Sequence, residues 1–182
     1  MENKKEKIAD FKTAISSTVR SLSNSEKIQV SFGNDSSKSG TNSIRLPELS
    51  TINKKLNYNQ IRAMADSKSL RHRFSDPKIF QQYEPDGNIS KQLYRISEKI
   101  RCEKIGTSYF KGVKNNIENF YQERISGLDL KSSEDKIVES FENYLRTKFL
   151  DFQNNSQIDK KLKSYKKDLN EKFKGKISQL NE

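Results

Sequence analysis

The sequence predicts a mainly α-helical bundle with one small antiparallel β-hairpin inserted after the first helix. Three observations support this fold class. Apolar residues recur at three- and four-residue spacing over most of the chain, which is the period of an amphipathic helix. The 182 residues include only 7 Gly and 3 Pro, so few positions interrupt a helix. One short segment near residue 30 instead alternates apolar and polar side chains, which is typical of a half-solvated strand.

The first half of the chain is expected to form a helix, two short strands and a second helix. Residues 5–24 place apolar side chains at helical spacing and end in a polar Ser-Asn-Ser run. Residues 28–32 and 43–46 follow as the two hairpin strands, and Pro47 ends the second one because proline cannot continue the ladder. The next helix is predicted to span residues 58–74.

The middle of the chain is predicted to be helical with one short turn before it. Asp76 and Pro77 have the form of an N-cap followed by a proline at the first helical position, and they open that turn. Residues 89–123 then read as helix. Within them Gly106 indicates either a break or a close contact between helices.

The C-terminal part divides into two predicted units. Ser132 or Ser133 caps a helix whose apolar residues follow a strict four-residue spacing, and this helix completes a domain covering residues 1–152. Residues 153–182 form a Lys-rich helix with a narrow apolar stripe. Such a stripe requires one partner helix, either in this chain or in another.

Composition limits the classes of function. Hydrophobic residues make up 31% and charged residues 32% of the chain, and the formal net charge is +11. A basic chain suggests nucleic acid, an anionic surface or an acidic protein as its partner. One Cys and one His exclude a disulfide framework and a multi-Cys zinc site. A polar N-terminus and no apolar run near the roughly 20 residues of a membrane span predict a cytoplasmic protein without membrane contact.

One motif suggests a metal site. Asp35, Ser37 and Ser39 spell D-x-S-x-S, and three such oxygens on a tight loop suit Mg²⁺, as in von Willebrand A domains. In that fold the preceding strand is a buried, nearly continuous apolar run, whereas residues 28–32 alternate. We therefore expect a polar hairpin loop here and no metal site. The chain also has no P-loop signature, and Cys102 and His72 lack the flanking residues of a catalytic pair.

Polar residues on the predicted helix 58–74 allow two interpretations. Asp66 lies in the apolar half of the helix, four residues after Arg62, so we expect a partly buried carboxylate paired with that arginine. A recognition carboxylate is the alternative. His72 lies between Arg71 and Arg73 at a basic helix end, and we expect a surface histidine.

Four stretches of the sequence, taken in their order along the chain, resemble those of a known protein family. They are FKTAISSTVRSLS (11–23), IRLPEL (44–49), IRAMADSKSLRHRFSDPKIF (61–80) and RCEKIGTSYFKGVKNNIENF (101–120). Over residues 9–150 the chain resembles the N-terminal region of the CobT subunit of aerobic cobaltochelatase. The family's own metal-site motif lies in a C-terminal von Willebrand A domain, so the resemblance places no metal site at Asp35. Nothing after residue 150 resembles that domain, and His residues of the family are replaced here by Ser75 and Phe80.

The resemblance implies a function in cobalamin biosynthesis. In that family the subunit works with an AAA+ ATPase subunit and a large chelatase subunit, which insert Co²⁺ into hydrogenobyrinic acid a,c-diamide at the expense of ATP. ATP and Mg²⁺ would then bind the ATPase subunit and Co²⁺ the chelatase subunit. This chain would bind no cofactor or metal and carry no catalytic residue. A homo-oligomer is left open.

Two partner assignments follow. From the match we predict that Arg62, Asp66 and Arg71 form the polar part of a partner-facing or core-organising surface. The net charge keeps a basic helical nucleic-acid-binding protein as the alternative. Tyr165 and Phe173 fall on the apolar stripe of the Lys-rich helix, which disfavours base stacking and makes nucleic acid the less favoured partner.

Overall fold

A computed structural model describes residues 2–33, 42–49, 58–129, 132–154, 156, 158–160, 162 and 163. The D-x-S-x-S loop at 35–39 and most of the predicted C-terminal helix lie outside these residues. In chain order the described elements are α1 (Glu2–Ser23), β1 (Gln29–Phe32), β2 (Ser43–Leu46), α2 (Tyr58–Phe74), α3 (Pro77–Gln82), α4 (Asn88–Tyr109), α5 (Lys111–Gly127) and α6 (Ser133–Leu150). The prediction of a mainly helical fold is confirmed.

Local signals placed several helix ends correctly. Helix α2 has the predicted bounds. Asp76 caps α3, because its Oδ1 accepts hydrogen bonds from the backbone N–H groups of Lys78 at 2.8 Å and Ile79 at 3.2 Å. Ser132 caps α6 in a capping box with Asp135, which satisfies two backbone donors at once. Each of these caps depends on neighbouring residues only, so sequence alone could predict it.

The predicted antiparallel hairpin is wrong in its direction. Strands β1 and β2 pair in parallel, with Gln29 opposite Ser43 and Phe32 opposite Leu46. Alternation of apolar residues selects the buried face but not the strand direction, because side chains alternate identically in both cases. The connection over residues 33–42 is longer than the hairpin loops of about two to five residues that would enforce an antiparallel return.

Buried apolar residues of the described segments form two clusters with α2 contributing to both. The first cluster packs α1 and the sheet against Ile61 and Ala65 of α2. The second joins Leu70 of α2 to α4, α5 and α6. Helix α2 is therefore the element around which the two halves are organised. Within the described residues no helix combines the length and apolar character needed to cross a membrane.

Gly106 marks a close helix contact, one of the two outcomes predicted for it. A Cβ at this position would lie 2.3 Å from Cδ2 and 2.8 Å from Cγ of Leu70, so only glycine lets α4 approach α2 this closely. The break between α4 and α5 comes four residues later. Phe110 has extended backbone angles there, with φ −124° and ψ 90°.

The chain turns sharply after α6. Asp151 takes the left-handed conformation with φ 55° and ψ 35°, which ends the helix. The next buried residue is Phe152, and Ile158 and Leu162 are helical and buried in the same cluster. The start of the predicted Lys-rich helix thus packs on this domain.

Candidate functional site

Helices α2, α4, α5 and α6 each direct a charged or polar side chain into one interior cluster. At its centre is Arg146 of α6, only 1% exposed. Its Nη1 donates to Oε2 of Glu103 on α4 at 2.8 Å, and its Nε donates to Oε1 of Glu142 at 2.8 Å. Glu103 is fully buried and also accepts a hydrogen bond from Oγ of Ser67 on α2 at 2.5 Å.

A second guanidinium extends the cluster toward the surface. Arg124 of α5 donates to Glu139 at 2.7 and 2.9 Å and to Oε2 of Glu142 at 2.7 Å. The ammonium of Lys99 lies 3.8 Å from Oε1 of Glu142. The Tyr121 ring stacks with both arginines, 4.9 Å from the Cζ of Arg146 and 5.4 Å from that of Arg124. The cluster therefore ties α5 to α6 as well as α4.

The surrounding cations determine the charge state of Glu142. Burial alone would raise its pKa, but Arg146, Lys99 and Arg124 together lower that pKa to about 2. Burial likewise opposes the charge of Arg146, and the two carboxylates Glu103 and Glu142 raise its pKa above the usual range. The buried pair Arg146–Glu142 is therefore charged at neutral pH.

A cavity of about 290 Å³ adjoins this cluster. Arg124, Glu142 and Arg146 form one side of it, and Lys68 and Arg71 of α2 reach its other side. Cations outnumber carboxylates among its lining residues. The charges of Arg124, Arg146 and Glu142 on its wall nevertheless satisfy one another. We therefore interpret the cluster as an ion network that fixes the positions of the four helices.

A larger groove of about 750 Å³ lies between β2 and the C-terminal end of α2. Its described lining has four basic side chains and no carboxylate: Arg45 of β2, and Lys68, Arg71 and His72 of α2. Lys68 donates to the carbonyl oxygen of Arg45 at 2.6 Å. Burial and the charge of Arg45 both lower the pKa of Lys68. We call this surface the basic groove.

The structure separates the three residues predicted to face a partner. Arg62 is exposed on α2. Asp66 is 2% exposed, and its Oδ2 accepts a hydrogen bond from Nδ2 of Asn116 on α5 at 2.8 Å. Arg71 lies in the basic groove, with its Cζ 4.7 Å from the ring centre of Phe80. Whether these residues contact a partner stays a prediction.

The pairing expected for Asp66 needs a correction. Its hydrogen bond comes from Asn116 on another helix, and the charge of Arg62 only offsets part of the effect of burial, which raises the pKa of Asp66. The nearest helical neighbour was the wrong partner because Asp66 points toward α5 and Arg62 toward solvent.

Cys102 and His72, the two residues considered as a catalytic pair, lie in different surroundings. Cys102 is fully buried, and burial raises the pKa of its thiol to about 12, so the reactive thiolate is strongly disfavoured. His72, expected at the surface, is half-buried in the basic groove. Across the described residues no group of three or more His, Cys, Asp or Glu side chains is arranged to hold a metal ion.

Sequence reasoning missed the interior cluster. Glu142 and Arg146 are spaced four residues apart beside the apolar positions 141 and 145, and this spacing was an available local signal. Glu103 gave no such signal, because its partner Arg146 is 43 residues away. Helix α6 is buried around most of its circumference, so its charged residues could not be assigned to a solvent face from periodicity.

Fold and site together define a mainly helical domain that uses its charges for interior ion pairs and for a basic surface groove. A comparison with models of protein families matches residues 5–182 to the family described as cobalamin biosynthesis protein CobT. The chain belongs to this family, which is involved in cobalamin biosynthesis. No solved structure matches the chain.

Proposed function

We propose that this chain is a non-catalytic subunit domain of a cobaltochelatase-like complex. It binds the AAA+ ATPase subunit and thereby supports ATP-dependent insertion of Co²⁺ into hydrogenobyrinic acid a,c-diamide. ATP and Mg²⁺ belong to the ATPase subunit, and Co²⁺ is the substrate held by the large chelatase subunit. The single observation that carries this proposal is the family match over residues 5–182.

The interior cluster supports a binding function. A subunit that acts by docking gains affinity when its surface is rigid before the partner arrives, because less entropy is lost on association. Arg146 joins α4 to α6, Arg124 joins α5 to α6, and Ser67 joins α2 to α4. These contacts hold the four helices in one arrangement and so preorganise whatever surface they present.

The partner surface is proposed to include the exposed side of α2. Arg62 would present its exposed side chain to an acidic residue of the partner, and Arg71 would add a second guanidinium nine residues later. Asp66 would act indirectly, since its carboxylate is buried and holds α2 against α5 through Asn116.

Co-elution tests this proposal. The full chain is mixed with the AAA+ ATPase subunit and ATP, and the complex is followed by size-exclusion chromatography at physiological and at high salt. We expect a complex that persists at high salt and a changed ATP turnover. In a first comparison, R62Q and R71Q should each weaken the complex. K148Q, which removes an exposed charge of α6, should leave it intact.

Two results would argue against the proposal. One is that the chain neither associates with the ATPase subunit nor alters its turnover. The other is that binding to DNA or RNA is strong and falls steeply with salt, which the net charge of +11 makes the competing function.

A further inference from the structure

The basic groove concentrates positive charge on one surface of the protein. Arg45, Lys68, Arg71 and His72 all line it, and its described lining contains no Asp or Glu. We propose that this groove binds a small oxyanion ligand, a phosphate ester or a polycarboxylate. The inference goes beyond the proposed function and does not depend on any partner subunit.

Two buried side-chain nitrogens of groove residues lack a hydrogen-bond partner within the described part of the chain. They are Nε of Arg45 and Nδ1 of His72, and a ligand in the groove would reach them only after these side chains shift, because both atoms are inaccessible to solvent. Buried polar atoms are nearly always hydrogen-bonded, because leaving such a bond unmade destabilises the fold. A guanidinium N–H can donate a charge-assisted hydrogen bond to an oxyanion, and an imidazole nitrogen can donate one when it carries the proton.

The position of Lys68 gives independent support. Its ammonium is held against the backbone of Arg45 by the 2.6 Å hydrogen bond to the carbonyl oxygen. Two cations so close repel each other, and both burial and this repulsion lower the pKa of Lys68. A bound anion would relieve the repulsion, so the folded chain already carries a cost that such a ligand removes.

Two acidic side chains close to the groove, Glu84 and Glu98, are paired mainly with arginines outside it. Glu84 accepts a hydrogen bond from Nε of Arg95 at 2.7 Å, and Glu98 is paired with Arg101 at 2.7 Å. Neither lines the groove, although Glu84 is close enough to Arg71 for their charges to interact. Arg71 is therefore neutralised in part, and the charges of Arg45 and Lys68 have no carboxylate among the described lining residues.

The size and the lining of the groove suit a small molecule. The volume of about 750 Å³ falls within the range of roughly 300–1,000 Å³ typical of small-molecule pockets. Ile44, Pro77 and Phe80 add an apolar wall beside the cations. The ligand should thus combine a charged oxyanion group with a less polar body.

The aromatic ring in the groove argues against single-stranded nucleic acid. Phe80 stacks on Tyr94 with ring centres 4.7 Å apart, and the guanidinium of Arg71 lies 4.7 Å from the same ring centre. Tyr94 and Arg71 therefore already contact this ring, which disfavours a base stacking on it. Base stacking on open aromatic faces is the usual basis of single-strand binding.

Isothermal titration of the full chain with two probes, inorganic pyrophosphate and propane-1,2,3-tricarboxylate, tests the inference at physiological chloride concentration. We expect one saturable site for at least one probe. Pyrophosphate binding alone identifies a phosphate ligand, and tricarboxylate binding alone identifies a carboxylate ligand. The double variant R45Q/K68Q should weaken binding about tenfold or more. The charge-matched control K148Q/K160Q removes two exposed lysines outside the groove and should bind like the unmodified chain.

Two outcomes overturn the inference: no saturable binding of either probe, or an equal loss of affinity in both double variants, which would mean attraction by net charge alone. If R45Q/K68Q does not fold, the unmodified chain still decides the matter. The Nε–H resonance of Arg45 in a ¹⁵N NMR spectrum should shift during titration of a bound probe. An unshifted Arg45 resonance places the anion elsewhere and also overturns the inference.

Discussion

Replacing Arg146 with methionine should strongly destabilise the fold. The substitution keeps a flexible, unbranched side chain, shorter than that of arginine, and removes the guanidinium from a position that is 1% exposed. Glu103 would then remain fully buried with the hydroxyl of Ser67 as its only described hydrogen-bond partner. Glu142 would keep Arg124 and, more distantly, Lys99.

The expected magnitude follows from the buried charge. Removing one partner of a buried ion pair costs about 3–5 kcal/mol, chiefly because the other partner is left charged and unsatisfied. We therefore expect R146M to lower the free energy of unfolding by about 3–5 kcal/mol at pH 7. The double variant E103Q/R146M should recover about 1–3 kcal/mol of that loss, since a neutral amide is cheaper to bury than an unpaired carboxylate.

Urea denaturation followed by far-UV circular dichroism measures these differences, and the method suits a chain without tryptophan. The control is K148M, which makes a similar change at an exposed position of the same helix. It should change stability by no more than about 0.5 kcal/mol. A loss below about 1 kcal/mol in R146M, or no recovery in E103Q/R146M, would show that the cluster is not a tightly coupled ion network.

Two further predictions concern pH and packing. Because the folded-state pKa of Glu142 is lowered to about 2 from 4.5, its contribution to stability is complete above pH 4.5 and is lost as pH falls toward 2. The unmodified chain should be more stable than E142Q by about 3 kcal/mol at pH 7, and urea titrations should show this difference disappearing over that pH range. A difference that does not change with pH would refute the lowered pKa of Glu142. Introducing a methyl group with G106A should cost about 1–3 kcal/mol by overpacking against Leu70. In thermal melts, the losses of stability in G106A and L70A should not add up in G106A/L70A, because the cavity left at Leu70 accommodates the new methyl group. Strictly additive losses would contradict the contact between Gly106 and Leu70.

Local structure was accessible from sequence wherever neighbouring residues decide it. The bounds of α2, the cap at Asp76 and the capping box at Ser132 all depend on residues within a few positions. The apolar stripe of α1 was equally readable, and Ile15, Val19 and Leu22 are buried as their spacing predicts.

Contacts between residues that are distant in the chain could not be predicted from the sequence. The apolar alternation of β1 and β2 correctly placed Ile44 and Leu46 in the core, yet it is the same for both strand directions. Asp66 shows the same limit for a side chain. Its sequence position suggested Arg62, but the hydrogen bond comes from Asn116, 50 residues away, because the fold directs the carboxylate toward α5.

The sequence by itself determined a mainly helical chain, several of its helix ends and its family, since each depends on local periodicity, capping residues or the order of short motifs. Only the tertiary structure decided which charges are buried and which remain open to a ligand. The cluster around Arg146 and the basic groove at Arg45 each join elements distant in the chain. A basic side chain looks the same in the sequence whether it is neutralised inside, like Arg146, or lines a groove whose described residues include no carboxylate, like Arg45.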